Sequence, residues 1–359
     1  MKSKRFFALL IAVFMLFSLV ACNQNKNNEA SGTQEVIDMT GRTVTVPTNI
    51  DKVFMDWAQG TLHMMTLGAL DKVVAVRTAF GEGDTFAWAR TIYPDFSKIN
   101  LDDAPFSNVE ALVAYEPDVI FSLYDGNDDN IKKYESVGIP VVAVRFQDYD
   151  TFKQSMALIG KVLGGDYETK AGNFVDFFDG NIELVTDRLK DISESEKRLI
   201  HYVDGRDTDA LRTVGRDQVE ATWIKTAGGR FSTEEYTGRQ IDLTEEKFLQ
   251  LNPDIILVGS QSQAPAMKWL LDNTTLQNLD AVKNDNVHRI PQGLFPWCKM
   301  GPEASMQMVW AAKFLYPDNF QDIDIAQMAK GFYRDFLGAD VSDEHLVKIL
   351  EGRLSPTGE

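Results

Sequence analysis

The stretch "NVEALVAYEPDVIFSL", Asn108–Leu123, returns in altered form as "TEEKFLQLNPDIILVG", Thr244–Gly259. In each copy a glutamate, Glu110 or Glu246, stands seven residues before a Pro-Asp pair, Pro117-Asp118 or Pro253-Asp254, and an apolar run follows. Asn108 and Thr244 are suited to cap a helix, and the glutamate then falls in its first turn, where the helix dipole favours a carboxylate. The proline ends that helix and a strand begins. One such acid needs no reason beyond its helix. Two at the same offset, 136 positions apart, predict two equivalent halves.

The surrounding sequence repeats the same grammar. "KVFMDWA" leads into "GTLHMMTLGAL", and "NIKKYESVG" precedes "IPVVAVRF". Beyond residue 193, "KRLIHYVD", "EATWIKTAGG" and "NVHRIPQG" resume it. Short continuous Val/Ile runs alternating with helical patterns predict parallel strands buried on both faces, an α/β architecture. "VIDMTGRTVTVP", Val36–Pro47, reads as two short strands about a Thr-Gly turn. Between Tyr149 and Ser193 the rhythm gives way to helix. Ala171, Phe174, Val175, Phe178, Ile182, Val185, Leu189 and Ile192 recur at steps of three and four, one apolar stripe suited to a rigid connector.

The amino end has a separate reading. Lys2, Lys4 and Arg5 precede the apolar run Phe6–Val20, the pattern of a secretory signal. "LVAC" ends at Cys22, and the polar "NQNKNNEASGTQ", Asn23–Gln34, reads as a tether. Losing the signal removes three positive charges and no acids, moving the formal charge from -17 to -20. So acidic a body argues against nucleic acid as a partner. Cys22 and Cys298 are the chain's two cysteines, so stability rests on a packed core and not on a disulfide framework.

"LVAC" resembles the lipobox of bacterial lipoproteins. Together with "DMTGRTVTVP" (Asp38–Pro47), "PDVIFSL", "PDIILVG", the "AGG" at Ala227–Gly229 and the connector helix, it makes the chain resemble the substrate-binding lipoproteins of ABC importers, in particular the iron-complex and vitamin B12 class. The resemblance implies two α/β lobes joined by a single long rigid helix, with ligand held in the cleft between them. It divides the chain into a signal (1–21), a lipidated cysteine and tether (22–34), a first lobe (35–150), an interlobe helix region (151–192), a second lobe (193–317) and a C-terminal helical segment packing on the lobes (318–359). It implies an extracytoplasmic protein anchored to the cell membrane only through lipid on Cys22. Its partners would be a permease dimer with its ATPase subunits. It further implies that Glu110 and Glu246 dock to basic residues of the permease, with Glu245 the neighbouring alternative. The cargo would be an iron chelate resembling a ferric siderophore, with haem, a corrinoid or another metal complex as alternatives. No resident cofactor and no catalytic residue are implied.

Ligands of open α/β sheets gather at the carboxyl ends of the strands. That rule nominates the loops carrying Trp57, Phe80, Trp88, Tyr124 and Arg145 in the first half. In the second it nominates those carrying Tyr202, Arg206, Arg216, Phe295 and Trp297. Arginines and aromatics together suit a large, partly apolar, anionic chelate, since guanidinium groups offer forked donors and planar stacking. The four histidines, His63, His201, His288 and His345, lack metal-site spacing, and no side chain is assigned as a metal ligand. His63, inside the helical "TLHMMTL", reads as packed, and Cys298 as a small buried residue. Two other classes remain open, a lipid-anchored enzyme and an adhesin using the lobes as a stalk. No Gly-x-Ser-x-Gly, Walker or His-Glu-x-x-His motif supports the first.

Overall fold

A computed structural model describes residues 32–75, 85–93, 96, 109–206, 209–261 and 263–357. Cys22, Phe80 and Asn108, with the signal segment, lie outside the described residues. The hairpin β1 (Thr33–Ile37) and β2 (Thr43–Pro47) pairs Val36 with Val44 around the turn at Gly41. The Asp38 carboxylate receives Thr40 N at 2.9 Å and Arg42 Nη2 at 2.6 Å, and Met39 N donates to Ala143 O at 3.0 Å, seating the hairpin on the first lobe.

Strands β3 (Val53–Met55), β4 (Val73–Ala75), β5 (Val119–Leu123) and β6 (Val141–Val144) form a parallel sheet in the order β4-β3-β5-β6. Next come β7 (Leu199–Asp204), β8 (Arg212–Thr213), β9 (Arg230–Phe231), β10 (Ile241–Asp242), β11 (Ile255–Gly259) and β12 (Val287–Arg289). Four of these make the second parallel sheet, β9-β7-β11-β12, and β8 pairs antiparallel with β10. The two strands of the repeated sequence, β5 and β11, occupy the same inner place in the two sheets.

The duplicated Pro-Asp pair has one structural task in both lobes. Glu116 (φ 50) and Asn252 (φ 36) take left-handed conformations that stop the helix just before the proline. The aspartate then ties the new strand to its neighbour. Asp118 Oδ2 accepts from Asp51 N and Lys52 N at 2.8 Å each, beside the start of β3. Asp254 Oδ2 accepts from Leu199 N at 2.6 Å, at the start of β7.

Side chains alternate across each strand, so both sheet faces are covered. Val119 and Phe121 face the main core while Ile120 faces a second cluster with Leu112 and Tyr134. In β11, Ile255 and Leu257 face the main core while Ile256 and Val258 meet Phe248 and Leu270.

The helical stretch expected between Tyr149 and Ser193 divides in two. Tyr149–Leu163 starts on a capping box between Asp148 and Thr151, and the long helix Asp166–Leu189 follows. Gly164 (φ 71) and Gly165 (φ 56) turn the chain back between them, a pair of conformations side chains disfavour. The second helix carries the apolar stripe from Ala171 to Leu189, with Ile192 beyond its end, and its 24 residues span about 36 Å. Its Phe174 and Phe177 meet Phe336 and Phe332 of the helix Ile325–Leu337, and Asn181 Nδ2 donates to Ser305 Oγ at 3.0 Å. The core is thereby continuous from lobe to lobe along the connector.

Candidate functional site

The carboxyl ends of the strands open on a cavity of about 940 Å³ lined from both lobes. Its first-lobe wall is aromatic. Asp56, just past β3, receives Leu123 N at 2.9 Å and the Ser122 hydroxyl, which locks the following loop against β5. Trp57 then packs beside Phe146, which follows β6, with ring centroids 5.3 Å apart. His63, from the helix Gly60–Thr66, stacks on Phe146 at 4.6 Å. Tyr124 completes the wall, and Asp125 and Asp148 stand on its rim.

The second-lobe wall is basic and carries Arg206, Arg216, Arg239 and Lys299. Asp204, fully buried at the end of β7, takes a fork from Arg206, with Nε at 3.0 Å and Nη2 at 2.6 Å from Oδ2. Burial raises the Asp204 carboxyl, but the charges of Lys299 and Arg206 outweigh it and hold the group below the usual carboxylate range. Lys299 Nζ lies 2.5 Å from Glu220 Oε1 and 3.6 Å from Asp204 Oδ2, above the ring of Tyr202. Burial would lower the Lys299 ammonium, yet these carboxylates keep it above its ordinary value. The Arg216 guanidinium donates to the carbonyls of Glu234 and Glu235, at 3.2 and 3.3 Å. Neither Arg216 nor Arg239 forms a salt bridge among the described residues. Asp217, which also lines the cavity, is held below the usual carboxylate range by the Gly238 N–H and, less strongly, by the charge of Arg216.

Of the residues nominated from sequence, Trp57, Tyr124, Arg206, Arg216 and Phe295 meet at this cavity. Four others do not line it. Arg145 lies over the Tyr124 ring at 5.6 Å and donates to Gln147 Oε1, buttressing the wall from behind. Tyr202 is fully buried beneath Lys299, its hydroxyl 3.8 Å from Cys298 Sγ, because strand alternation turns it into the core. Trp297 is likewise buried, directed back toward Gly293. Trp88 is a core residue whose Nε1 donates to Arg353 O at 2.7 Å. Loop membership alone gave no side-chain direction. Lys299, Arg239 and Phe146 sit on or beside nominated loops and were passed over, and His63 was read as packing only. Among the described residues, no group of three or more His, Cys, Asp or Glu is arranged to hold a metal ion, and no helix is long and apolar enough to cross a membrane.

Two parallel-sheet lobes of matching topology, a connecting helix and a cavity walled by both define a two-lobed solute-binding protein. The chain belongs to the periplasmic binding protein family, whose sequence profile matches residues 59–294. It is the extracytoplasmic solute-binding component of an ABC importer, partner to a permease and its ATPase, and not an enzyme. It is 27% identical to the molybdate-binding protein MolA of Haemophilus influenzae over 89% of its own length and 95% of that protein's. The structure of MolA bound to molybdate covers 86% of this chain and 99% of its own, with a TM-score of 0.74 and 24% identity. A periplasmic solute binding protein from Veillonella parvula reaches a TM-score of 0.78 at 21% identity, covering 89% of this chain and 97% of that one. A cobalamin-binding protein of Halobacterium salinarum is 23% identical over 70% of this chain and 66% of its own length.

Proposed function

We propose that the cavity captures an anionic metal chelate of ferric-siderophore type and that the protein, held at the membrane by lipid on Cys22, passes it to the permease. The observation that carries this reading is the cavity itself: about 940 Å³, lined by the flat rings of Trp57, Phe146 and Tyr124 and by Arg216 and Arg239, which form no salt bridge among the described residues. That volume lies near the upper end of the roughly 300–1,000 Å³ that hold drug-sized ligands. Aromatic faces accept planar ligand rings, and guanidinium forks bind carboxylate or catecholate oxygens. Haem or a corrinoid would use the same wall, and the cobalamin-binding relative supports that alternative.

A second reading is favoured by the similarity to MolA, namely a small oxyanion such as molybdate held by the arginines. It leaves the aromatic wall unused.

Glu110 and Glu246 are both exposed, in the first turns of matching helices, Val109–Val113 and Glu245–Leu251. Glu245 is half-buried and receives Asn273 Nδ2 at 2.7 Å, which supports Glu246 as the docking acid.

The test is a titration of tryptophan fluorescence, with Trp57 in the wall as reporter. Ferric catecholate, haem, cobalamin and molybdate are added in turn to the protein lacking residues 1–22. Saturable quenching by a ferric chelate is expected. Binding of molybdate alone would replace the cargo assignment with the oxyanion.

A further inference from the structure

His63 is 1% exposed and lies in the cavity wall between Trp57 and Phe146. Its ring is held on three sides, stacked on Phe146 at 4.6 Å, edge-on to Phe152 at 5.4 Å and 6.0 Å from Trp57. Burial pushes its imidazolium down to about 3, so the ring is neutral at physiological pH, with one nitrogen a donor and the other an acceptor. Among the described residues Nδ1 has no hydrogen-bond partner, and it is sealed from solvent. The fully buried His201 of the second lobe bonds the Ser232 hydroxyl through Nδ1 at 2.7 Å and leaves Nε2 without a partner among the described residues. An unmade hydrogen bond in a buried polar group costs on the order of 1–3 kcal/mol, which a phenylalanine here would avoid while keeping the stack. What sets His63 apart from His201 is its place in the cavity lining, where an incoming ligand can approach the ring.

We infer that His63 is the specific polar contact of the first-lobe wall, hydrogen-bonding an oxygen of the cargo as its flat part settles against Trp57 and Phe146. The arginines opposite supply charge; the imidazole supplies direction. It thereby distinguishes a catecholate or carboxylate-bearing chelate from an apolar ligand of the same outline. This rests on the cavity reading above.

The test uses a ferric tris-catecholate as probe, with fluorescence titration of the wild-type protein and of His63→Phe, His63→Gln and Trp57→Ala, and a melting curve of each. His63→Phe should melt no lower than wild type and bind about tenfold more weakly, and His63→Gln, which keeps a donor, should recover part of the loss. If Trp57→Ala weakens binding while His63→Phe binds as wild type does, the role of His63 is overturned and the cavity reading stands. If the wild type does not bind the probe, or neither substitution changes its affinity, the cavity reading falls and this inference with it.

Discussion

The ring of Phe86, from the first lobe, lies on the ring of Phe295, from the second, with centroids 5.7 Å apart and planes 14° from parallel. Phe295 lines the cavity, so this pair closes one edge of the cleft. Two residues further on, Trp88 Nε1 reaches Arg353 O, while Gln292 N donates to Ile349 O at 2.8 Å. The C-terminal helix Asp343–Leu350 and its tail thus strap the second lobe to the first, a tie additional to the connector helix. Phe86 is 2% exposed. Phe86→Ala should lower unfolding free energy by about 3 kcal/mol and weaken cargo binding, measured by urea unfolding and titration. Loss of stability with unchanged affinity would place the stacked pair outside the binding edge.

Lys299 sits over two carboxylates, and Glu220, unlike Asp204 with its Arg206 fork, has no other cation in salt-bridge range among the described residues. Glu220 is 3% exposed and Asp204 fully buried. Lys299→Met should destabilise the protein by about 3–5 kcal/mol, the usual range for breaking one side of a buried pair, and adding Glu220→Gln should restore part of it. Urea unfolding of the single and double variants checks this. A single variant as stable as wild type would show that water already satisfies Glu220.

Glu303 supplies a pH dependence. Its Oε1 accepts from Leu294 N at 2.6 Å and from the Tyr333 hydroxyl at 3.2 Å, yet burial outweighs these donors and pushes the carboxyl from 4.5 up to about 8. Between those values the folded chain keeps a proton that the unfolded chain has released. This contribution is therefore full below pH 4.5 and is lost progressively as the pH rises to about 8. Glu303→Gln should melt higher than wild type at pH 8, with a smaller difference at pH 5. Melting curves that stay parallel across that range would show that Glu303 is ionised when folded.

Glu110 and Glu246 are proposed to meet basic residues of the two-fold permease. Reversal of both, Glu110→Arg with Glu246→Arg, should abolish uptake of the ferric chelate by cells while its affinity for the isolated protein stays within about twofold, since rim charges act on encounter and orientation. Unimpaired uptake would remove both acids from the docking face.

The repeated Pro-Asp sentence made the lobes legible because each part has a local cause: a helix start, a stop, and a run that only a strand buried on both faces accommodates. The aspartate's bonds to the neighbouring strand were not legible, since they depend on residues as distant as Asp51 and Leu199. The break at Gly164-Gly165 was present in the sequence but was masked by apolar spacing on either side. In the site, strand ends led to Trp57, Tyr124, Arg206, Arg216 and Phe295. Tyr202, Trp297 and Trp88 failed because burial depends on which way a side chain leaves the backbone. Lys299 was missed because Trp297 dominated the reading of its loop, whereas His63, read as packed, is packed among aromatic rings and also lines the cavity.

Anomalous diffraction at the iron edge, from crystals grown with a ferric tris-catecholate, locates the cargo. A single iron peak is expected inside the cavity, between the Trp57–His63–Phe146 wall and the Arg216–Arg239 wall. An iron peak elsewhere on the molecule would contradict that expectation, as would a cavity that stays free of iron and takes up a molybdenum peak from molybdate instead.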